Sequence, residues 1–208
     1  MIYLIGGSPR CGKTILAKKI SLKKKISLVS TDAFRPMVLE MTPKSEIKKK
    51  FPQTDMPTPK NKFRFDIYSS KEMLKAQAVE AKTMWPPTKA FIRSLIYREQ
   101  DFVIEGVHLF PSLVNELKKT AHWKHIRVVY LIKTDIEKII AGFSRNKDSF
   151  DWMYPSIKDN GDRLTKAAEM VREKSLYIEK GCKKHRFKAF NTEAGFNKKI
   201  REALNYLI

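Results

Sequence analysis

The sequence predicts an α/β fold in which a buried parallel sheet is flanked by helices. Its 208 residues contain five short apolar runs, and helical stretches lie between them. Short continuous apolar runs are typical of strands buried on both faces, and their alternation with helices is typical of a parallel sheet. The five runs are residues 2–5, 26–29, 102–104, 126–132 and 187–190.

The composition excludes several classes of protein. At 42% hydrophobic and 11% aromatic residues, the chain is too apolar to be disordered. No apolar run approaches the ~20 residues that span a bilayer, so we expect no membrane partner. Cys11 and Cys182 are the only cysteines, and neither has metal-ligand spacing. With no basic segment ahead of the first apolar run, we expect a reduced, cytoplasmic protein.

The net charge of +20 admits two interpretations. An excess of this size is typical of proteins that bind nucleic acid, anionic membranes or phosphorylated substrates. However, 31 of the 42 basic residues are Lys, which is a common solvated surface residue, whereas Arg is preferred for phosphate recognition. The charge by itself therefore selects no partner.

Two stretches interrupt the alternation of strands and helices. The first, 42–99, begins with a polar, Lys-rich flap over 42–64 and continues with a helix over 71–84. Pro86-Pro87 predicts the end of that helix and the start of another. We interpret 42–99 as a substrate-binding cap inserted into one domain that spans the chain. The second stretch, 141–162, follows the fourth apolar run and is interpreted as a lid.

A phosphate-binding loop, or P-loop, follows the first predicted strand. The pattern G-x-x-x-x-G-K-[ST] is matched by Gly7, Ser8, Pro9, Arg10, Cys11, Gly12, Lys13 and Thr14. The glycines allow close backbone approach, so that backbone N–H groups and a helix N-terminus form an anion site. Lys13 is expected on the β- and γ-phosphates, and the Thr14 hydroxyl on Mg²⁺. The sequence therefore predicts that this segment binds nucleotide phosphates with Mg²⁺, and an ordinary Gly-rich turn is the alternative.

Two other kinds of P-loop protein lack their signatures in this sequence. A GTPase needs Asn-Lys-x-Asp after a strand, and Asn146-Lys147-Asp148 places the acid one position early. A motor ATPase usually carries paired acids at the end of a long apolar strand, whereas the third run ends in Glu105-Gly106. Small phosphotransferases remain.

Three segments together resemble the P-loop kinases of the adenylate-kinase-like group. They are Ile5–Thr14, Ser30–Arg35 and Phe102–Leu109. The last two are most similar to the 2-phosphoglycerate kinase and zeta-toxin-like branch, in which Thr-Asp-x-x-Arg and apolar-Glu-Gly-x-His segments occur. The resemblance implies a P-loop NTPase fold with a five-stranded parallel sheet in the order 2-3-1-4-5. It also implies a substrate cap, a lid after strand four, and ATP- and Mg²⁺-dependent kinase activity.

Four further candidate residues lie at or just after the ends of strands, where ligands bind in open α/β sheets. Asp32 is expected to accept the proton of the attacking hydroxyl or to hold that hydroxyl in line, although a helix N-cap is the alternative. Arg35 either clamps an anionic substrate or is solvated. Glu105 binds Mg²⁺ or substrate, or else caps a loop. His108 either contacts substrate or is structural.

The lid is expected to supply an arginine that neutralises charge on the γ-phosphate. Arg145 is the first candidate, with Arg163 and Lys147 as alternatives. Within the P-loop, Arg10 either contacts phosphate or is solvated, and Cys11 is either a reactive thiol or a small filler of the loop.

The leading hypothesis is a kinase that transfers the γ-phosphate of ATP to a small, anionic, hydroxyl-bearing metabolite. A zeta-toxin-like kinase acting on a nucleotide sugar belongs to the same class. One alternative is a polynucleotide or RNA-end kinase that binds nucleic acid through the basic residues 44–62. Another is a non-catalytic nucleotide-binding protein, which leaves Asp32 and Glu105 without a role.

Overall fold

A computed structural model describes residues 1–54, 56, 58–60, 62–145, 157 and 160–208. In this part of the chain, five strands form one parallel sheet in the order β2-β3-β1-β4-β5, which confirms the predicted fold class and strand order. The strands are β1 (Ile2–Gly7), β2 (Ser27–Ser30), β3 (Phe102–Gly106), β4 (Ile126–Ile132) and β5 (Lys188–Asn191).

Strand β1 lies at the centre of the sheet. Ile5 is in register with Glu105 of β3 on one side and with Val129 of β4 on the other. Ser30, the last residue of β2, also pairs with Glu105. Because all strands are parallel, their carboxyl ends meet at one edge, and the P-loop begins there.

Helices cover both faces of the sheet. They are α1 (Lys13–Lys24), α2 (Thr31–Glu40), α3 (Lys44–Lys50), α4 (Arg64–Ile67), α5 (Ser70–Tyr97), α6 (Pro111–Val114), α7 (Ile136–Arg145), α8 (Gly161–His185) and α9 (Phe196–Leu207). Two 3-10 helices, Asn115–Lys119 and Ala121–His125, precede β4. Within the described residues, no helix is long and apolar enough to cross a membrane.

The hydrophobic core consists of two clusters, and the strands of the sheet contribute residues to both. Tyr3 and Ile5 of β1 belong to the cluster that includes α1 and α9, whereas Ile2 and Leu4 belong to the cluster that includes α5. This alternation follows from the two-residue period of a strand. Helix α8 contributes residues to both clusters, so it is fixed against the sheet along much of its length.

The prediction that a helix ends at Pro86-Pro87 is wrong, because α5 is one helix of 28 residues, Ser70–Tyr97, that contains both prolines. A proline inside a helix costs roughly 3 kcal/mol through its missing N–H and its ring. Burial of apolar side chains on both sides of the pair, including Trp85 and Ile92, offsets that cost.

Residues 42–64 contain more regular structure than the predicted flap. Helix α3 lies inside 42–64, and Phe51, which is fully buried, donates its backbone N–H to Ile47 at the end of that helix. In the predicted lid, residues 141–145 are the last five of α7. Most of the remainder of 141–162 lies outside the described residues, until Asn160 caps α8 by accepting the N–H of Arg163 at 3.0 Å.

Candidate active site

The P-loop lies tightly against its neighbours at the two glycines of its motif. Gly7 has a φ of +146°, and a Cβ added there lies 2.2 Å from the carbonyl oxygen of Leu131. Gly12 has a φ of +95°, and a Cβ added there lies 2.8 Å from the ring of Phe196. Both backbone conformations and both close contacts require glycine. The backbone of this loop therefore explains why the motif has glycine at these two positions.

Lys13 and Thr14 bring the P-loop into contact with strand β3. Lys13 is 8% exposed, and its ammonium donates to the carbonyl of Ser8 at 2.8 Å. The Thr14 hydroxyl donates to Glu105 Oε1 at 3.1 Å, because β3 is the direct neighbour of β1. The two motifs that are 91 residues apart in sequence therefore share one site.

The Thr14 and Glu105 oxygens fit a magnesium ion. A hydroxyl and a carboxylate are the hard oxygen ligands that Mg²⁺ prefers, usually with phosphate and water completing its shell. Burial raises the pKa of Glu105, and nearby Asp32 raises it further, whereas the Lys13 ammonium lowers it. A cation at this position would favour the ionised carboxylate. Elsewhere in the described chain, no group of three or more His, Cys, Asp or Glu offers another metal site.

Asp32 presents its carboxylate to the cleft from the first turn of α2. The N-cap of that helix is Ser30, whose Oγ accepts the backbone N–H of Asp32 at 3.2 Å. The Asp32 side chain is 63% exposed. Because Ser30 already caps the helix, the Asp32 carboxylate is available for a ligand.

His108 is buried behind Asp32. Its Nδ1 lies 3.0 Å from the Thr31 hydroxyl and 3.5 Å from Asp32 Oδ1. Burial lowers the pKa of His108 to about 4, against the opposing effect of Asp32. The ring is therefore neutral at pH 7, and it supports the residues that begin α2 without adding charge to the cleft.

Arg35 is held by a buried carboxylate that the sequence did not reveal. Its Nε donates to Glu80 Oε2 at 2.8 Å and its Nη2 to Glu80 Oε1 at 3.2 Å. Nη2 also donates to the Thr54 hydroxyl at 2.8 Å, and the backbone N–H of Gln53 donates to Glu80 at 2.8 Å. Arg35 lines the cleft, but this network fixes its position and joins α5 and residues 53–54 to α2.

Arg10 and Cys11 of the P-loop both have structural contacts. Arg10 Nη2 donates to the carbonyls of Gly142 and Phe143, at 3.3 and 3.1 Å, and so joins the loop to the end of α7. Cys11 is fully buried, and burial raises the pKa of its thiol. These observations favour the filler interpretation of Cys11 over the reactive thiol.

One cleft of about 1260 Å³ brings most of the predicted residues together. Outside the P-loop proper, the predicted residues on its wall are Asp32, Arg35, Glu105 and His108. The P-loop residues on its wall are Pro9, Arg10, Gly12, Lys13 and Thr14. The backbone of α7 ends at Arg145, and the side chain of Arg145 lies outside the described part of the structure.

Lys174 and Gln77 also line the cleft, and sequence reasoning missed both. Lys174 lies on the buried face of α8 with Val171 and Ile178. Spacings of three and four residues are typical of the apolar face of a helix. A lysine on such a face is unusual, and this is the feature of the sequence that indicates a buried Lys174. Gln77 lies on the corresponding buried face of α5 and has no comparable signal.

No protein-family model and no curated protein sequence matches the chain. Among solved structures, a gluconokinase from Sinorhizobium meliloti 1021 aligns at 15% identity with a TM-score of 0.55, over 99% of this chain and 90% of that one. A shikimate kinase from Bacteroides thetaiotaomicron aligns at 10% identity with a TM-score of 0.51, over 99% of this chain and 94% of that one. The chain therefore has the fold of P-loop kinases. The closer likeness to the 2-phosphoglycerate kinase and zeta-toxin-like branch stays a prediction.

Proposed function

We propose that this protein is an ATP- and Mg²⁺-dependent phosphotransferase that moves the γ-phosphate to a hydroxyl of a small, anionic metabolite. The observation that carries the proposal is the meeting of Lys13, Thr14, Glu105 and Asp32 in one cleft. A nucleotide-binding protein without catalysis needs the first two residues only. The fold shared with a gluconokinase and a shikimate kinase supports a small acceptor.

In this proposal the P-loop holds the phosphates of ATP. Backbone N–H groups of residues 7–14 and the N-terminus of α1 bind the phosphate oxygens, and Lys13 contributes an ammonium with three N–H donors. Thr14 and Glu105 hold Mg²⁺, which neutralises charge on the β- and γ-phosphates when it is bound.

Asp32 acts on the acceptor. Its exposed carboxylate accepts the proton of the attacking hydroxyl or holds that hydroxyl in line with the γ-phosphate. His108 supports Asp32 from behind, and Arg35 borders the acceptor. Arg145 is the proposed lid residue that reaches the γ-phosphate. A cytoplasmic location of the protein is a prediction.

Calorimetric titration with Mg·ATP tests the nucleotide part of the proposal. The Lys13→Ala substitution removes a charge-assisted contact worth roughly 1.5–3 kcal/mol, so affinity should fall about 10- to 100-fold. Lys19→Ala is the matched control, because Lys19 is an exposed lysine of the same helix. Equal affinity of the Lys13 variant and the control would show that the P-loop interpretation is wrong.

A transfer screen with labelled ATP separates the candidate acceptors. It includes sugar acids, phosphorylated metabolites, nucleosides and 5′-hydroxyl oligonucleotides. Label on a small anionic compound supports the proposal. Label on an oligonucleotide, together with affinity that falls steeply with salt, supports the polynucleotide kinase instead. Binding of Mg·ATP without transfer to any member of the screen supports the non-catalytic protein.

A further inference from the structure

Lys174 is a buried lysine in the wall of the cleft. The side chain is fully buried, and Nζ donates to Gln77 Oε1 at 2.8 Å and to the carbonyl of Val107 at 3.0 Å. Nζ also lies 5.0 Å from the centre of the Phe110 ring. Its two hydrogen-bond partners are neutral, although an ammonium has three N–H donors.

No ion pair found within the described residues includes Lys174. A buried charge is costly unless an opposite charge compensates it. Burial accordingly lowers the pKa of Lys174 to about 7, and nearby Lys13 lowers it further, while Asp32 and Cys11 act in the opposite direction. The cleft wall therefore contains a buried amine for which this part of the chain provides no carboxylate partner.

The position of Lys174 is fixed by the residue that follows it. The Ser175 hydroxyl donates to Ser8 Oγ at 2.9 Å and accepts the backbone N–H of Lys133 at 3.1 Å. These contacts hold α8 to the P-loop and to the end of β4. A rigid support of this kind is what a binding group needs in order to be placed accurately.

We propose that Lys174 binds the anionic group of the phosphoryl acceptor, a carboxylate or a phosphate, with Gln77 as a second polar contact. This inference rests on the proposed function and specifies the substrate class of the same site. An anion would supply the charge that the described chain does not. Lys174 contacts Val107, just beyond β3, and Gln77 of the cap, so it belongs to the acceptor side of the cleft with Asp32, while Lys13 serves the nucleotide.

The first experiment compares binding of paired probes. The protein is saturated with Mg²⁺ and a non-hydrolysable ATP analogue, then titrated calorimetrically with gluconate against sorbitol and with glycerol 3-phosphate against glycerol. Wild type should bind at least one anionic probe 10-fold or more tightly than its neutral partner, and the pair that shows this identifies carboxylate or phosphate. Lys174→Met should abolish that preference and leave affinity for the ATP analogue unchanged.

Two further variants make the result specific. Lys180→Met alters an exposed lysine of the same helix and should retain the preference. Lys174→Gln keeps a polar side chain without the charge and should lose the preference. Thermal unfolding midpoints close to that of wild type for either Lys174 variant show that its fold is intact.

Proton uptake gives a readout independent of affinity. Three charged or titratable groups act electrostatically on Lys174, namely Lys13, Asp32 and Cys11. Lys174 in turn acts on His108. Because the free amine has a pKa of about 7, binding of an anion at pH 8 should draw a proton onto it. Calorimetry in two buffers of different ionisation enthalpy should detect this uptake in wild type and not in Lys174→Met.

Several results would overturn the inference. These are equal wild-type affinity for anionic and neutral probes, binding of none of the anionic probes, or an undiminished preference in Lys174→Met. If the transfer screen finds an acceptor and Lys174→Met lowers kcat equally for anionic and neutral acceptors, Lys174 acts on the transferred phosphate instead. Failure of the proposed function is a different result, namely Mg·ATP binding with no transfer to any acceptor.

Discussion

Substitution of Glu80 by Gln should destabilise the protein substantially. Glu80 has a side-chain exposure of 0% and accepts three hydrogen bonds, two from Arg35 and one from the backbone N–H of Gln53. Removing one partner of a buried ion pair typically costs about 3–5 kcal/mol. The Arg35 side chain is 28% exposed and can recover some hydration, and Gln retains one acceptor oxygen. We therefore expect a loss of about 2–3 kcal/mol, below that range.

Urea unfolding at pH 7 measures this loss as a free energy. For a domain of about 200 residues, ~2–3 kcal/mol corresponds to a Tm lower by roughly 4–12 °C. Glu202→Gln is the control, because it breaks an exposed Lys–Glu contact within one helix, and it should leave stability close to wild type. A loss for Glu80→Gln no larger than for Glu202→Gln would refute the reasoning that Glu80 and Arg35 join α5 to α2.

Two predictions concern residues that support Asp32. The pKa of His108, about 4, lies below that of an exposed histidine, about 6.5. Between these two pH values the unfolded state binds more protons than the folded state. The free energy of unfolding should therefore fall by up to about 3 kcal/mol as the pH drops from 6.5 to 4. Urea unfolding at several pH values should show a smaller fall in His108→Gln, and an equal fall contradicts the assignment. In Gly106→Ala, the added Cβ lies 1.8 Å from Thr31 Oγ1. The free energy of unfolding should therefore drop by at least about 1–3 kcal/mol, and the rate of phosphate transfer should fall. Unchanged unfolding and transfer in this variant would contradict the tight packing of β3 against α2.

Much of the site was predictable because it follows from the order of strands in a parallel sheet. The P-loop has a specific pattern, and apolar runs locate the ends of β2 and β3 where Asp32 and Glu105 lie. Parallel pairing then brings those ends to one edge of the sheet. In the structure, Thr14 accordingly lies within hydrogen-bond distance of Glu105.

The features that the sequence did not predict depend on contacts between distant parts of the chain. Glu80 lies on α5 and pairs with Arg35, 45 residues away, and a glutamate in a helix is usually solvated. Lys174 lies 97 residues from its partner Gln77. The path of α5 through Pro86 depends on burial along the whole helix, which outweighs the local cost of a proline.

The most direct test of the proposed phosphotransferase is the rate of γ-phosphate transfer to the acceptor found in the screen, measured in a single turnover for wild type and Asp32→Asn. A positioned general base contributes about 10²- to 10⁴-fold. We therefore predict a transfer rate lower by at least 100-fold in Asp32→Asn, with affinity for Mg·ATP unchanged. Transfer at the wild-type rate in that variant would contradict the account.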